Sequence, residues 1–213
     1  MSLGGTYNLD VHEIVADLSH STSPEHIFNE VQKLGIEIGY LVNNAGIGEF
    51  AQFKDTEPQR VSEIIMVNIY ALTLLTRLFV PNLISNKGKI LNVASIASFM
   101  PSPMLAVYFA SKAYELSLSQ ALAEELKNSG VTVTTLCPGA TATEFGKAAH
   151  MQDVTTSKTL SVASPEEVAQ FGFKVMMKGK GIAIYGFSNK VFVFFMQLLP
   201  RALTVRYMAT FYK

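Results

Sequence analysis

An alternation of short apolar runs with longer helical patterns constrains this chain more than any other feature. β-rich runs fall at Val11–Asp17, Tyr40–Asn43, Lys89–Ser95, Val131–Cys137 and Gly181–Tyr185, each bounded by Gly, Asn, Ser or Pro. Helical patterns lie between them at Pro24–Leu34, Glu57–Ser85, Pro103–Asn128 and Pro165–Met177. Strands that alternate with helices need crossover connections, which predicts an α/β fold with a doubly wound parallel sheet. Such strands are covered on both faces and read as continuous apolar runs. Composition agrees, at 49% hydrophobic and 16% charged residues, and excludes intrinsic disorder. With 213 residues the length suits one domain, expected over residues 1–190, with 191–213 as a helical extension packed on it.

Helix ends are marked by residues with a mechanism. Ser164-Pro165-Glu166-Glu167 offers an N-cap, a Pro at the first helical position and a Glu three residues on. Ser23-Pro24-Glu25 and Ser102-Pro103 carry similar starts, and Gly130 is placed to end the third long helix in a left-handed turn. Pro81 is expected to kink the segment that contains it. Val191–Lys213 is apolar, aromatic and mildly basic through Arg201, Arg206 and Lys213; it reads as a helical hairpin broken at Pro200. A membrane-surface face is the less favoured alternative for it.

Several functions are excluded or demoted. Lys plus Arg and Asp plus Glu each number 17, so the basic footprint of a nucleic-acid binder is missing. Cys137 is the single cysteine, which rules out a disulfide scaffold. His12, His20, His26 and His150 are scattered without ligand spacing, so no metal site is expected. Met1–Gly5 has neither the basic start nor the apolar core of a secretory leader. The stretch Ile64–Val80 carries Asn68, Thr73, Thr76 and Arg77, and Val191–Leu199 is too short to span a bilayer. A cytoplasmic protein is expected.

The chemistry-bearing residues gather at strand ends. Tyr108 and Lys112 stand at i, i+4 and share one helix face. An ammonium beside a phenol favours phenolate, which makes a tyrosine usable as an acid or base near neutrality. Ser95 follows a strand, where ligands of open α/β sheets bind, although a serine there also caps turns. Asn68 falls inside the apolar stripe of Ile64, Ala71, Leu72 and Leu75, so its amide must find partners, either neighbouring backbone or a polar site. Asn43-Asn44-Ala45-Gly46, with Gly48, and Pro138-Gly139 close two further strands. These three ends should converge on one edge of the sheet, the crevice geometry of a nucleotide site.

In order and spacing, N-N-A-G (Asn43–Gly46), Asn68, Ser95, Y-x-x-x-K (Tyr108, Lys112) and P-G-x-x-x-T (Pro138, Gly139, Thr143) resemble the short-chain dehydrogenase/reductase family, from about Val11 to Gly186. The resemblance implies a Rossmann-like fold and an NAD(P)-dependent oxidoreductase that interconverts a ketone and a secondary alcohol, with NADP favoured over NAD. Tyr108 would be the acid/base. Lys112 would lower its pKa and hold the nicotinamide ribose, Ser95 would bond the substrate oxygen, and Asn68 would hold a water for a proton relay. Asp17 and Leu18 would meet the adenine, while Asn44, Ala45 and Gly46 flank the adenosine. Pro138, Gly139, Thr141 and Thr143 would line the nicotinamide. The substrate would be apolar, with Met100, Met104, Leu105 and Val191–Leu199 near it. The family's partners imply a homo-oligomer, dimer or tetramer, through the Glu57–Ser85 and Pro103–Asn128 helices, where Leu74, Leu78, Phe79, Leu116 and Leu118 exceed what one sheet face needs.

One part of the family pattern has no counterpart. The opening strand, the turn T-G-x-x-x-G-x-G, a helix and a second strand are missing, roughly 50 residues or one and a half βαβ units. Tyr40–Asn43 should then show a bare apolar edge. Either Val11–Asp17 moves to pair with it or the molecule has residues beyond this sequence, and we favour the second. Two other functions remain open: a nucleotide-sugar epimerase or dehydratase, which shares Ser and Y-x-x-x-K, and a truncated, non-catalytic dimer or scaffold.

Overall fold

A computed structural model describes residues 9–151 and 162–212. Met1–Gly5 and Lys213, read above, lie outside them. In chain order the main elements are α1 (Ser23–Lys33), β1 (Tyr40–Asn43), α2 (Pro58–Ile65), a π-helical turn (Met66–Ala71), α3 (Leu72–Ser85), β2 (Lys89–Val93) and α4 (Ala106–Glu125). There follow β3 (Thr132–Cys137), the short α5 (Phe145–Ala148), α6 (Pro165–Met177), β4 (Ile182–Ile184), α7 (Phe187–Leu198) and α8 (Arg201–Ala209).

The strands form one parallel sheet in the order β1-β2-β3-β4. Its register sets Tyr40 beside Lys89, Ile90 beside Val133 and Thr135 beside Ile182. Successive residues of β2 serve opposite faces, as the period of two requires. Ile90 joins Phe79, Leu83, Leu126, Val131 and Val133 on the face covered by α3 and α4. Leu91 joins Leu136, Val168 and Met176 under α6. The sheet is therefore wound on both faces, as expected.

Some sequence signals act as read. Ser164 Oγ accepts from Glu167 N, and Ser164 N donates back to Glu167 Oε2, a full capping box. Gly130 takes φ +85° after the turn that follows α4. The C-terminal segment is a pair of helices separated at Pro200, and Val193, Met196 and Met208 pack into a cluster with Ala97, Met100, Leu105 and Phe109.

Others need correction. Val11–Asp17 forms no strand: Val11 and Val15 are 58% and 83% exposed, and no ladder includes them. β-propensity expresses packing on neighbours, and these side chains have no sheet face to cover. β1 keeps the bare edge instead, with Tyr40 and Val42 half exposed. Ser102-Pro103 does not start α4, which begins at Ala106 after Met104 takes a left-handed φ of 64°. Pro81 sits inside α3, and the helical irregularity falls earlier, at the π turn around Asn68. Two of the five surplus leucine-type positions are interior: Phe79 and Leu116 are buried within the chain. The run Pro58–Ser85 has the length and apolarity of a membrane span. Here it lies against the sheet, with Thr76 bonded to Asn43 of β1.

Candidate active site

The site grows from the carboxyl end of β2. Lys112 lies in the second turn of α4, and its Nζ reaches down to donate to the Val93 carbonyl, the last of the strand, at 2.8 Å. The same Nζ donates to Glu115 Oε2 at 2.9 Å, with both side chains almost fully buried. A Cβ added to Gly46 would lie 3.3 Å from Lys112 Nζ, so the loop after β1 passes directly over the ammonium. Ile96 N donates to the Pro138 carbonyl and ties the end of β2 to that of β3. Three strand ends thus converge around Lys112, as their sequence motifs predict.

Tyr108 stands one helical turn before Lys112, half-buried. Its ring packs on Phe145, with centroids 5.0 Å apart, and on the cluster of Met100, Leu105 and Val193. Among the described residues no hydrogen bond reaches its hydroxyl. Ser95 Oγ accepts from Ala97 N at 3.1 Å and caps the turn Ile96–Phe99. That contact uses a lone pair and leaves the hydroxyl proton to donate elsewhere. Ser95 therefore has the capping role a lone serine suggests and keeps its capacity for a substrate oxygen.

Asn68 is 1% exposed, and its amide is fully engaged. Oδ1 accepts from Ile47 N and Nδ2 donates to Ile47 O and to Ser111 Oγ, each at 2.9 Å. The side chain clamps the Gly46–Gly48 loop. A π turn places an extra residue at one point of a helix and often marks a functional site; here it carries Asn68 under that loop.

Asp17 lies apart in kind. Its carboxylate accepts from the backbone N and the hydroxyl of Ser19, which hold its pKa below the ordinary carboxylate value. Leu18 follows it in the turn leading into α1. Asn44 and Ala45 are exposed on the loop over Lys112. Thr141 Oγ1 donates to the Gly139 carbonyl, and Thr143 Oγ1 accepts from Phe145 N at 3.4 Å. Both threonine side chains thus shape the segment after β3.

Two glycines read as ligand approaches have partners within the chain. A Cβ at Gly48 would come within 2.9 Å of the Phe145 ring, and one at Gly139 within 2.5 Å of Asn189 Nδ2. The sequence signalled a close approach without revealing what approaches. It also missed Glu115 and a buried polar ladder. Asn43 Nδ2 donates to Asn92 Oδ1 at 2.8 Å and to Thr76 Oγ1 at 3.0 Å, and Asn92 Nδ2 donates to Ser119 Oγ at 2.8 Å. Their only sequence signal is a polar residue in an apolar strand or stripe. Among the described residues no cluster of His, Cys, Asp and Glu suits a metal.

A parallel sheet wound on both faces, with Ser, Tyr and Lys gathered at its carboxyl edge, defines a Rossmann-like oxidoreductase architecture. The short chain dehydrogenase family model matches residues 2–153, and the chain belongs to that family. It is 36% identical over 143 residues to an uncharacterized oxidoreductase, YvrD, of Bacillus subtilis, covering 67% of this chain and 54% of that protein. It is 32% identical over 149 residues to the very-long-chain 3-oxoacyl-CoA reductase of Rattus norvegicus, covering 66% of this chain and 46% of the relative. The chain spans about half the length of these curated relatives. Among solved structures, a short-chain dehydrogenase from Sphingobium yanoikuyae in complex with NADPH superposes with a TM-score of 0.77 at 27% identity, over 87% of this chain and 71% of that one.

Proposed function

We propose that this protein is an NAD(P)-dependent oxidoreductase that interconverts a ketone and a secondary alcohol on an apolar substrate, with NADP favoured. The observation that carries the reading is Lys112: its ammonium is fixed at the end of β2, one helical turn from Tyr108 and beneath Gly46. A cation is buried at low cost only where it is paired and hydrogen-bonded, and the Val93 carbonyl and Glu115 hold this one in place beside Tyr108.

The nicotinamide cofactor would supply or accept a hydride. Its nicotinamide half fits the residues present: Lys112 faces the loop over β1's end, and Pro138, Gly139, Thr141 and Thr143 form the segment after β3. The diphosphate half finds no glycine-rich turn at a helix N-terminus among the described residues. Tyr108 would give its phenolic proton to the substrate oxygen in reduction and take it back in oxidation. Lys112 would hold the nicotinamide ribose, Ser95 would donate to the same substrate oxygen, and Asn68 would hold the Gly46–Gly48 loop in place. Met100, Leu105 and Val193 back the Tyr108 ring with apolar surface, which supports an apolar substrate. The 3-oxoacyl-CoA reductases among the relatives point the same way.

A second reading is a non-catalytic scaffold, in which the sheet and the α2–α4 helices serve assembly rather than chemistry. Titration with NADPH and with NADH, followed by nicotinamide fluorescence, separates the two. Saturable binding of either supports the oxidoreductase; no binding of either up to millimolar concentration overturns it. We also propose a homodimer across the outer faces of α2–α4, where Ile65, Tyr70 and Tyr114 remain exposed. A monomer by light scattering at micromolar concentration would refute that interface.

A further inference from the structure

Glu115 is the one carboxylate among the described residues that is essentially removed from solvent, at 1% exposure. It occupies an inward position of α4, in line with Phe109, Leu116 and Ser119, where an apolar side chain would pack at no electrostatic cost. Its Oε2 meets Lys112 Nζ at 2.9 Å, and its Oε1 has no hydrogen-bond partner among the described residues. A buried carboxylate with an orphan oxygen is expensive. Among the described residues its side chain has one hydrogen-bond partner, and that contact defines its role.

Lys112 spends one N–H on Val93 O and a second on Glu115, which leaves a third for the side where Gly46 passes. At 4% exposure an ammonium is costly without a counter-charge. We propose that Glu115 is a positioning residue for Lys112: it serves as the buried counter-ion that keeps the ammonium charged and aims its remaining N–H at the loop over β1's end.

The ionisable neighbours of the pair are few. Tyr108 lies on α4 itself, one turn before Lys112. Cys137 faces it from β3, with its thiol pushed up to about 12 by burial and by the Glu115 charge, so it stays neutral and adds no charge. Burial also pushes the Glu115 carboxyl up, against the pull of the Lys112 ammonium. With the Cys137 thiol neutral, Tyr108 is the ionisable neighbour that remains of these two.

This inference rests on the oxidoreductase reading for its purpose, but its test needs neither cofactor nor substrate. In protein carrying 13C-labelled lysine, the Lys112 Cε signal, assigned by its loss in Lys112→Arg, is followed against pH. Two results are expected in the wild type and in Glu115→Gln. The wild-type Lys112 signal should show a second inflection where Glu115 titrates. The Glu115→Gln variant should titrate Lys112 at least about one pH unit lower, the scale set by a close opposite charge. An unmoved midpoint in a folded Glu115→Gln overturns the proposal. If that variant does not fold, the wild-type titration decides, and absence of the Glu115 inflection overturns it. A moved midpoint in a protein that binds neither NADPH nor NADH would sink the oxidoreductase reading and leave the Glu115–Lys112 coupling standing.

Discussion

The carboxyl ends of β2 and β3 and the open side of β1 are built from similar residues and treated in opposite ways. At β2, Asn92 is fully buried and bonded to Asn43 and Ser119, and Lys112 and Pro138 close the strand end from above. At β1, Tyr40 and Val42 present half-exposed side chains beside a backbone edge that no strand pairs among the described residues, and the preceding Val11 and Val15 are exposed. The difference teaches where specificity is spent. Buried polar groups force one arrangement because each unmade bond is costly, whereas an uncovered edge specifies little and invites another strand.

The most severe disturbance of the bonded side is chemical. Tyr108→Phe keeps the ring that packs on Phe145 and removes a hydroxyl with no partner among the described residues, so stability should hold. Loss of a general acid is worth about 10²–10⁴-fold, and kcat for carbonyl reduction should fall within that range while affinity for NADPH is retained. Near-wild-type turnover would remove Tyr108 from the acid's role.

Cys137 sharpens the same contrast. Its thiol is fully buried at the end of β3, and burial with the nearby Glu115 charge pushes it up to about 12. Only thiolate is alkylated, so at pH 8 iodoacetamide should react roughly 10³-fold more slowly than with an ordinary cysteine. Raising the pH toward 12 or adding urea should release the reaction. Mass spectrometry that finds rapid labelling of the native protein would show that the strand end opens.

The core beneath the site gives the next effect. Ile90 is fully buried between β1 and β3 against Phe79, Leu83 and Val133. Ile90→Ala should cost about 2–5 kcal/mol in urea unfolding, transfer and cavity together. A loss below about 1 kcal/mol would mean that this layer is looser than its packing shows.

How far the sequence leads can be seen in particular residues. Four of the five strand runs form strands, with ends differing by at most two residues, because an apolar run bounded by Gly, Asn or Pro is a local signal. The capping box at Ser164 is likewise local. Ser95, Tyr108 and Lys112 were legible because their spacing follows one strand and one helix. Glu115 was not, since a Glu at helical spacing reads as a solvated face until tertiary packing buries it. Asn68 and Ile47, 21 residues apart, and Asn43 and Asn92, 49 apart, bond only once the fold exists. Val11–Asp17 carries strand composition but has no neighbouring strand among the described residues, and propensity without a partner does not make a ladder.

The mildest expected effect lies on the open side and tests the comparison most directly. Val42 projects its side chain from β1 at 50% exposure, while its backbone keeps its register with Leu91. Val42→Lys leaves that ladder intact, adds a charge where water already reaches, and removes little buried area. Stability in urea should therefore change by no more than about 0.5 kcal/mol, the usual range for surface positions. Self-association should fall, because a lysine on an exposed strand edge opposes strand addition. Light scattering should show fewer large aggregates, with any homodimer built on α2–α4 unchanged. A stability loss above about 1 kcal/mol would show that Val42 is covered in solution, and β1 would then belong with the bonded side of the molecule rather than opposite to it.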